Sequence, residues 1–337
     1  MGGMRYMLLS SPFLIKAAEA ATATGTVTTE YADARFPVIQ IITLILAIVI
    51  MLAVSVYSIV FIVQRGTNWT YSLMPIMFFC LLFNYVPIYA LQFIKPLVDF
   101  AASHPSAWKI ISVSISVILE VVSIFVATRV VVGQSQKRGY HIDITTALLF
   151  GPVYFIAAIL ILDQIMGCFT WLVYGTTLNS MGFDAFVETL MNANELTEKE
   201  AVEAALRIID APPFDCIWDT LAMAAEVLTR CAIGIVFYGY FTREIEKPYL
   251  FYGFGFQLLE YIACLILSVF NLTSIFNLLL KAIVAAICCF LVYTQLLKGP
   301  MSADMYTLTH KKERKKPKTT KGADPNQKMP TINMPKD

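Results

Sequence analysis

Residues 215–241, DCIWDTLAMAAEVLTRCAIGIVFYGYF, decide the class of this protein. As a helix this stretch would be about 40 Å long at 1.5 Å per residue, enough to cross a hydrocarbon core of about 30 Å. It nevertheless carries Glu226 and Arg230 near its middle. A charge placed in hydrocarbon costs at least about 2.5 kcal/mol on insertion scales. These side chains must therefore face partners or water inside a bundle of membrane helices.

The rest of the chain has the same character. Hydrophobic residues make up 58% of the sequence and charged residues only 15%, whereas soluble domains have about 25% charged residues. The apolar runs are longer than the roughly ten residues of a spanning strand and do not alternate in polarity, so they indicate helices. The sequence predicts an all-α, polytopic transmembrane bundle with about seven spans, at residues 36–63, 70–94, 107–132, 145–174, 215–241, 248–270 and 273–298.

Loop charges predict how the bundle is oriented. The tail after residue 298 has nine basic residues against four acidic ones, and the loop 175–213 has seven acidic residues against two basic ones. Basic loops stay in the cytoplasm. We therefore expect the C-terminus inside and, with seven spans, the N-terminus outside. The loop 95–109, with Lys95 and Lys109, is the exception because this topology places it outside.

Three regions follow from this pattern. Residues 1–35 are either an external N-terminal arm or a signal-like segment, and residues 36–298 form the membrane domain. Within it, Thr197 and Glu200 fit a capping box at the start of an external amphipathic helix of about 197–210. Residues 299–337 are charged, contain proline and lack hydrophobic periodicity, which predicts a disordered, basic cytoplasmic tail.

Ionisable residues at membrane depth are the candidate site. Glu226 and Arg230 are four residues apart, so they share a helix face and can pair. Glu120 and Glu260 have no basic residue one turn away, so each is either protonated or paired across helices with Lys281 or Arg230. Two interpretations of these residues remain open, a structural ion pair and a functional site. The candidate intramembrane polar cluster is Glu120, Asp163, Glu226, Arg230, Glu260 and Lys281.

Several chemistries lack their usual residues. All three histidines, His104, His141 and His310, fall in predicted loops or in the tail, and no HExxH or Walker motif occurs. The seven cysteines have no metal-ligand spacing. We expect no metal and no other cofactor. The expected partners are membrane lipids and other membrane proteins, with no nucleic acid, and the expected location is the plasma membrane.

Four segments carry a family resemblance. They are Glu120 followed by Arg129 in the third span, ALLFGPVYFIAAIL in the fourth, EVLTR in the fifth and LFYGFGFQLLEYI in the sixth. Their order over roughly residues 38–298 resembles the YhfC-type family of intramembrane metalloproteases, within the CAAX-protease-like superfamily. The resemblance implies membrane-embedded peptidase chemistry and carries over Glu120, Glu226, Arg230 and Glu260.

The chain departs from this family at the metal ligands. Val121 replaces the second glutamate of a pair, Tyr154 stands near a histidine position, and Gly234 and Gln257 lie near two more. The resemblance therefore implies a degenerate, catalytically inactive member that binds or scaffolds membrane partners. The alternatives are a proton- or cation-coupled transporter or channel that uses midplane carboxylates, and an active intramembrane peptidase.

Overall fold

The computed structural model describes residues 34–302, except 66–67, 85, 87–89, 91–92, 140–142, 195–196 and 271–272. The described part is helical and contains no strand, which confirms the all-α prediction. The predicted tail, apart from its first residues, and most of the predicted N-terminal arm lie outside the described residues, as does the side chain of Asp163.

The described helices, in chain order, are α1 (Val38–Arg65), α2 (Asn68–Leu82), α3 (Lys95–Ser103), α4 (Pro105–Lys137), α5 (Thr145–Leu148), α6 (Phe150–Tyr154), the π-helical segment Phe155–Ile165, α7 (Met166–Met181), α8 (Phe183–Asn194), α9 (Glu198–Asp210), α10 (Asp215–Phe241), the 3₁₀ turn Lys247–Tyr249, α11 (Leu250–Phe270), α12 (Ser274–Leu291) and the π-helical segment Val292–Leu297.

Among the described residues, five helical stretches are long and apolar enough to cross a membrane. They lie in α1, α4, α10, α11 and α12, and they indicate a membrane-embedded, multi-pass protein. The other two predicted spans are not confirmed. In place of a continuous helix over 70–94, α2 ends at Leu82. Its 15 residues reach only about 22 Å, less than the hydrocarbon thickness.

The predicted fourth span, 145–174, is helical but irregular. The chain is broken between α5 and α6, winds as a π-helix over Phe155–Ile165 and continues to the end of α7. Gly151 lies against α10 so closely that a Cβ there would meet the Sγ of Cys231 at 2.3 Å and the carbonyl oxygen of Val227 at 2.6 Å. Glycine therefore sets the distance between α6 and α10.

Two predicted loops contain helices. The loop predicted at 95–109 holds α3 and the start of α4, which begins at Pro105, a residue suited to the first helical turn. The acidic loop 175–213 holds the end of α7 and the whole of α8, besides the amphipathic helix that the sequence predicts. Helix α9 starts with the predicted capping box between Thr197 and Glu200 and buries its apolar face, which confirms it as a capped amphipathic helix.

Helix α10 is the centre of the bundle. It packs against α1, α4, α6, α11 and α12. Within the most apolar 18-residue stretch of α10, 67% of the residues are buried, against 22–28% for the corresponding stretches of the other four candidate spans. The four outer helices leave most of their apolar side chains on the surface, as expected for helices that face lipid. The polar residues of α10 consequently lie in the interior of the bundle.

The first span is attached at its N-terminal end. The Asn179 side chain of α7 accepts a hydrogen bond from the Phe36 backbone N–H (2.7 Å) and donates one to the Phe36 carbonyl oxygen (3.0 Å). The Phe36 ring packs on Gly175, where a Cβ would lie 2.2 Å from the ring. In the first turn of α1, Gln40 Nε2 donates to the carbonyl oxygens of Ile209 (3.0 Å) and Ala211. These contacts join α1 to α7 and to the connection between α9 and α10.

Candidate functional site

Arg230 of α10 and Glu120 of α4 form a buried, two-pronged ion pair in the core. The guanidinium Nε donates to Oε1 of Glu120, and Nη2 donates to Oε2 at 3.0 Å. Both residues are buried, with exposed fractions of 4% and 3%. Two parallel, charge-assisted hydrogen bonds of this kind fix orientation as well as distance. The pair therefore ties α4 to α10 in a defined register.

Arg230 also faces two further glutamates. Its Nη1 lies 3.1 Å from Oε1 of Glu260 on α11, and its Nη2 lies 3.7 Å from Oε2 of Glu226 one turn earlier on α10. The aromatic ring of Tyr154, at the end of α6, lies 5.1 Å from Cζ of Arg230, within cation–π range. A single guanidinium thus meets three carboxylates and an aromatic face.

Two more polar side chains extend this group. Lys281 of α12 pairs through Nζ with Oε1 of Glu226. Gln257 of α11 donates from Nε2 to Oε2 of Glu120 at 3.2 Å. We call the resulting group the Arg230 network; it joins α4, α10, α11 and α12, and its members are Glu120, Glu226, Arg230, Gln257, Glu260 and Lys281.

A second polar contact lies on α10, two turns before Glu226. Asp219 accepts hydrogen bonds from Ser274 Oγ (3.3 Å) and Asn277 Nδ2 (3.1 Å), both on α12. The position of Asp219 near the end of the fifth span predicts a mostly structural side chain within reach of the membrane interface. Only 5% of Asp219 is exposed, and polar partners on α12 satisfy it, which fits a structural role.

The structure brings together five of the six predicted site residues, all except Asp163, whose side chain lies outside the described residues. The predicted contact between Glu226 and Arg230 is present, but at 3.7 Å it is looser than the contact with Glu120. Gln257 and Tyr154 were not among the predicted site residues. The spacing of Gln257, three residues before Glu260 and so on the same helix face, is the signal that could have revealed it.

The donor set of the network does not fit a metal ion. Within the described ranges, no group of three or more His, Cys, Asp or Glu residues is placed to hold one. Both oxygens of Glu120 are engaged by nitrogen donors, and both oxygens of Glu226 face cationic nitrogens. Arg230 and Lys281 thus take the positive role that a metal would have among these carboxylates.

Two cavities lie elsewhere in the bundle. One, of about 50 Å³, lies between α1, α7 and the connection to α10, and its lining includes Gln40, Gln164, Cys168 and Trp171. The other, of about 680 Å³, is more open and lies where α11 approaches the π-helical end of the last span. Neither is lined by a member of the Arg230 network. The network is therefore not part of the wall of either cavity.

No protein-family model, no curated protein and no solved structure matches the chain.

Proposed function

We propose that this multi-pass membrane protein binds or scaffolds other membrane proteins and does not cleave peptides. The observation that carries the proposal is the position of Arg230, whose guanidinium lies among Glu120, Glu226 and Glu260. In a metallopeptidase, carboxylates at such a place would hold or serve a metal-bound water. Here they neutralise a side chain of the protein itself.

The suspected relation to YhfC-type metalloproteases allows the Arg230 network to be compared with the metal site of that family. Tyr154 and Gln257 stand near positions where that family has histidines, and both belong to the surroundings of the ion pairs. The Tyr154 ring lies over Arg230, and Gln257 hydrogen-bonds Glu120. We propose that a packed ion-pair network stands where the YhfC-type enzymes have a metal site. The chain would then be a pseudo-enzyme with the same order of segments as these enzymes.

A buried network suits a scaffold because it fixes helix positions. It connects four helices through side chains that are nine-tenths buried or nearly so. Removing one member of a buried ion pair typically costs about 3–5 kcal/mol. A bundle held in this way presents a constant surface to neighbouring proteins in the plane of the membrane. The proposal also includes an N-terminus outside the cell, a C-terminus inside it and location in the plasma membrane.

A second candidate is proton- or cation-coupled transport. It is favoured by the presence of more carboxylates than cations in the network, since midplane carboxylates serve as coupling sites in transporters. The two cavities described above do not reach the network, so neither of them offers it a path to solvent.

Purified protein in liposomes can separate binding from hydrolysis. The wild type and the Glu120→Gln variant would be incubated, with and without added Zn²⁺, with a set of single-span membrane substrates. We expect no cleavage by either protein and no stoichiometric zinc by elemental analysis. Cleavage by the wild type that is lost in Glu120→Gln would restore the peptidase reading.

Photo-crosslinking in cells tests the scaffold itself. A photoreactive residue would replace lipid-facing Ile45 or Leu52 of α1, both about half exposed. We expect discrete crosslinks to membrane proteins that are weakened by Arg230→Met and kept by Arg129→Met, because Arg129 is exposed and outside the network. Crosslinks to lipid alone at every position would contradict scaffolding.

A further inference from the structure

We propose that the Arg230 network holds one exchangeable proton and that Glu260 carries it. The first argument is the charge count. Three carboxylates (Glu120, Glu226 and Glu260) face two cations (Arg230 and Lys281) in a closed group of contacts. With every group ionised, the network would keep one uncompensated negative charge at membrane depth, where charge is most costly. One bound proton makes the network neutral.

The hydrogen bonds identify the carboxyl group that carries the proton. Both oxygens of Glu120 accept hydrogen bonds, and both oxygens of Glu226 face a cationic nitrogen. Glu260 differs from them. Its Oε1 lies 3.1 Å from Nη1 of Arg230, yet neither atom makes a hydrogen bond within the described part of the chain. Glu260 is 2% exposed, so solvent does not compensate for this lack.

Gln257 supplies an independent indication. Its Nε2 is committed to Glu120, and its Oε1 is buried without a donor among the described residues. The side chain is 3% exposed and lies one turn before Glu260 on the same face of α11. An unsatisfied buried acceptor costs about 1–3 kcal/mol. A carboxylic acid O–H at Glu260 could donate to this oxygen, whereas a carboxylate could not.

A proton fits this place better than a metal cation. Sodium or calcium would need several oxygen ligands, and those of Glu120 and Glu226 are already engaged. A proton also needs no cavity, and neither described cavity reaches the network. The titratable groups that face Glu260 are Glu120 from α4, Arg230 from α10, Cys264 from α11 and Cys288 from α12. Glu226, Lys281 and Tyr154 contact other members of the network, and Asp219 acts on Lys281.

Infrared spectroscopy of the reconstituted protein tests this inference, which does not rest on the proposed function. A protonated carboxyl group has a carbonyl stretch that is separate from the carboxylate and amide bands and shifts in D₂O. Ether-linked lipids are used for the reconstitution, because the ester carbonyls of ordinary phospholipids absorb in the same region. At neutral pH we expect such a band in the wild type, its loss in Glu260→Gln and its retention in the control Glu198→Gln, an exposed acid of α9. A wild type without the band, or a band unchanged in Glu260→Gln, would overturn the proposal.

Thermal stability provides a second readout. Glutamine mimics a protonated glutamate, so Glu260→Gln should keep a melting temperature close to that of the wild type, while Glu120→Gln should lose stability. An equal loss in both variants would show that Glu260 is ionised. Stabilisation of the wild type by sodium chloride, but not by choline chloride, that disappears in Glu260→Gln would assign the site to a metal cation and overturn the proton assignment.

Discussion

Arg230 reaches across the bundle to Glu120, 110 residues away in sequence, more closely than it reaches its own helical neighbour Glu226. The guanidinium forms two parallel contacts with Glu120 and only a 3.7 Å contact with Glu226. This paired contact is tertiary, and it holds α4 against α10.

Arg230→Met should destabilise the protein strongly. The change leaves the Glu120 carboxylate buried without its cation, and breaking a buried pair typically costs about 3–5 kcal/mol. We expect a sharp fall in folded yield and in the melting temperature in detergent. Arg129→Met, on the exposed face of α4, is the matched control and should leave both near wild type. Equal behaviour of the two variants would contradict a central role for Arg230.

The pair of Glu226 and Lys281 offers a double-variant test. Glu226→Gln leaves the Lys281 ammonium without its carboxylate, and Lys281→Met leaves one oxygen of Glu226 without its cation. We expect each single variant to lower the melting temperature and the double variant to recover part of the loss, because contacting residues couple in such cycles. The measurement is thermal unfolding of the four proteins. Strictly additive losses would mean that these two side chains do not interact.

Gly151→Ala should be more harmful than an ordinary glycine substitution in a helix. The new Cβ would meet Cys231 Sγ at 2.3 Å and the Val227 carbonyl oxygen at 2.6 Å, and overpacking of this kind costs about 1–3 kcal/mol. The control is Gly133→Ala in α4, where nothing lies within 4 Å of the new atom. Alanine there should be neutral or stabilising by about 0.5–1 kcal/mol.

Adding Cys231→Ala separates the two contacts of Gly151. It removes the sulfur but leaves the backbone oxygen of Val227 in place, so we expect only partial recovery of the melting temperature. Full recovery would show that the close approach of α6 to α10 is not fixed by the backbone.

The predicted orientation can be checked by labelling single cysteines in a cysteine-free background. Position 198, at the start of α9, should react with an impermeant maleimide added outside the cell, because the acidic loop is expected there. Position 243, in the basic turn after α10, should react only after the membrane is opened. Both positions are described in the structure. The reverse pattern would invert the topology, and labelling of both from outside would exclude this arrangement of spans.

The sequence predicted the central helix well and its partners less well. Helix α10 has the predicted bounds 215–241, because a long apolar run lies between Pro213 and the basic turn at Arg243. The second predicted span is not confirmed, since apolar composition continues beyond Leu82 although α2 ends there. Periodicity along one helix suggested Glu226 as the partner of Arg230 but could not rank it against Glu120, because that choice depends on how α4 packs on α10.

The attachment of α1 has a consequence for the order of events during synthesis. Its anchoring groups on Asn179 and Ala211 are made 143 and 171 residues after Phe36 and Gln40. At about 5–20 residues per second, α1 waits for them for about 10–30 s. It carries no charged residue before Arg65 and can spend that time alone in lipid. The charged α10, in contrast, emerges from the ribosome when α4 is already present to receive Arg230.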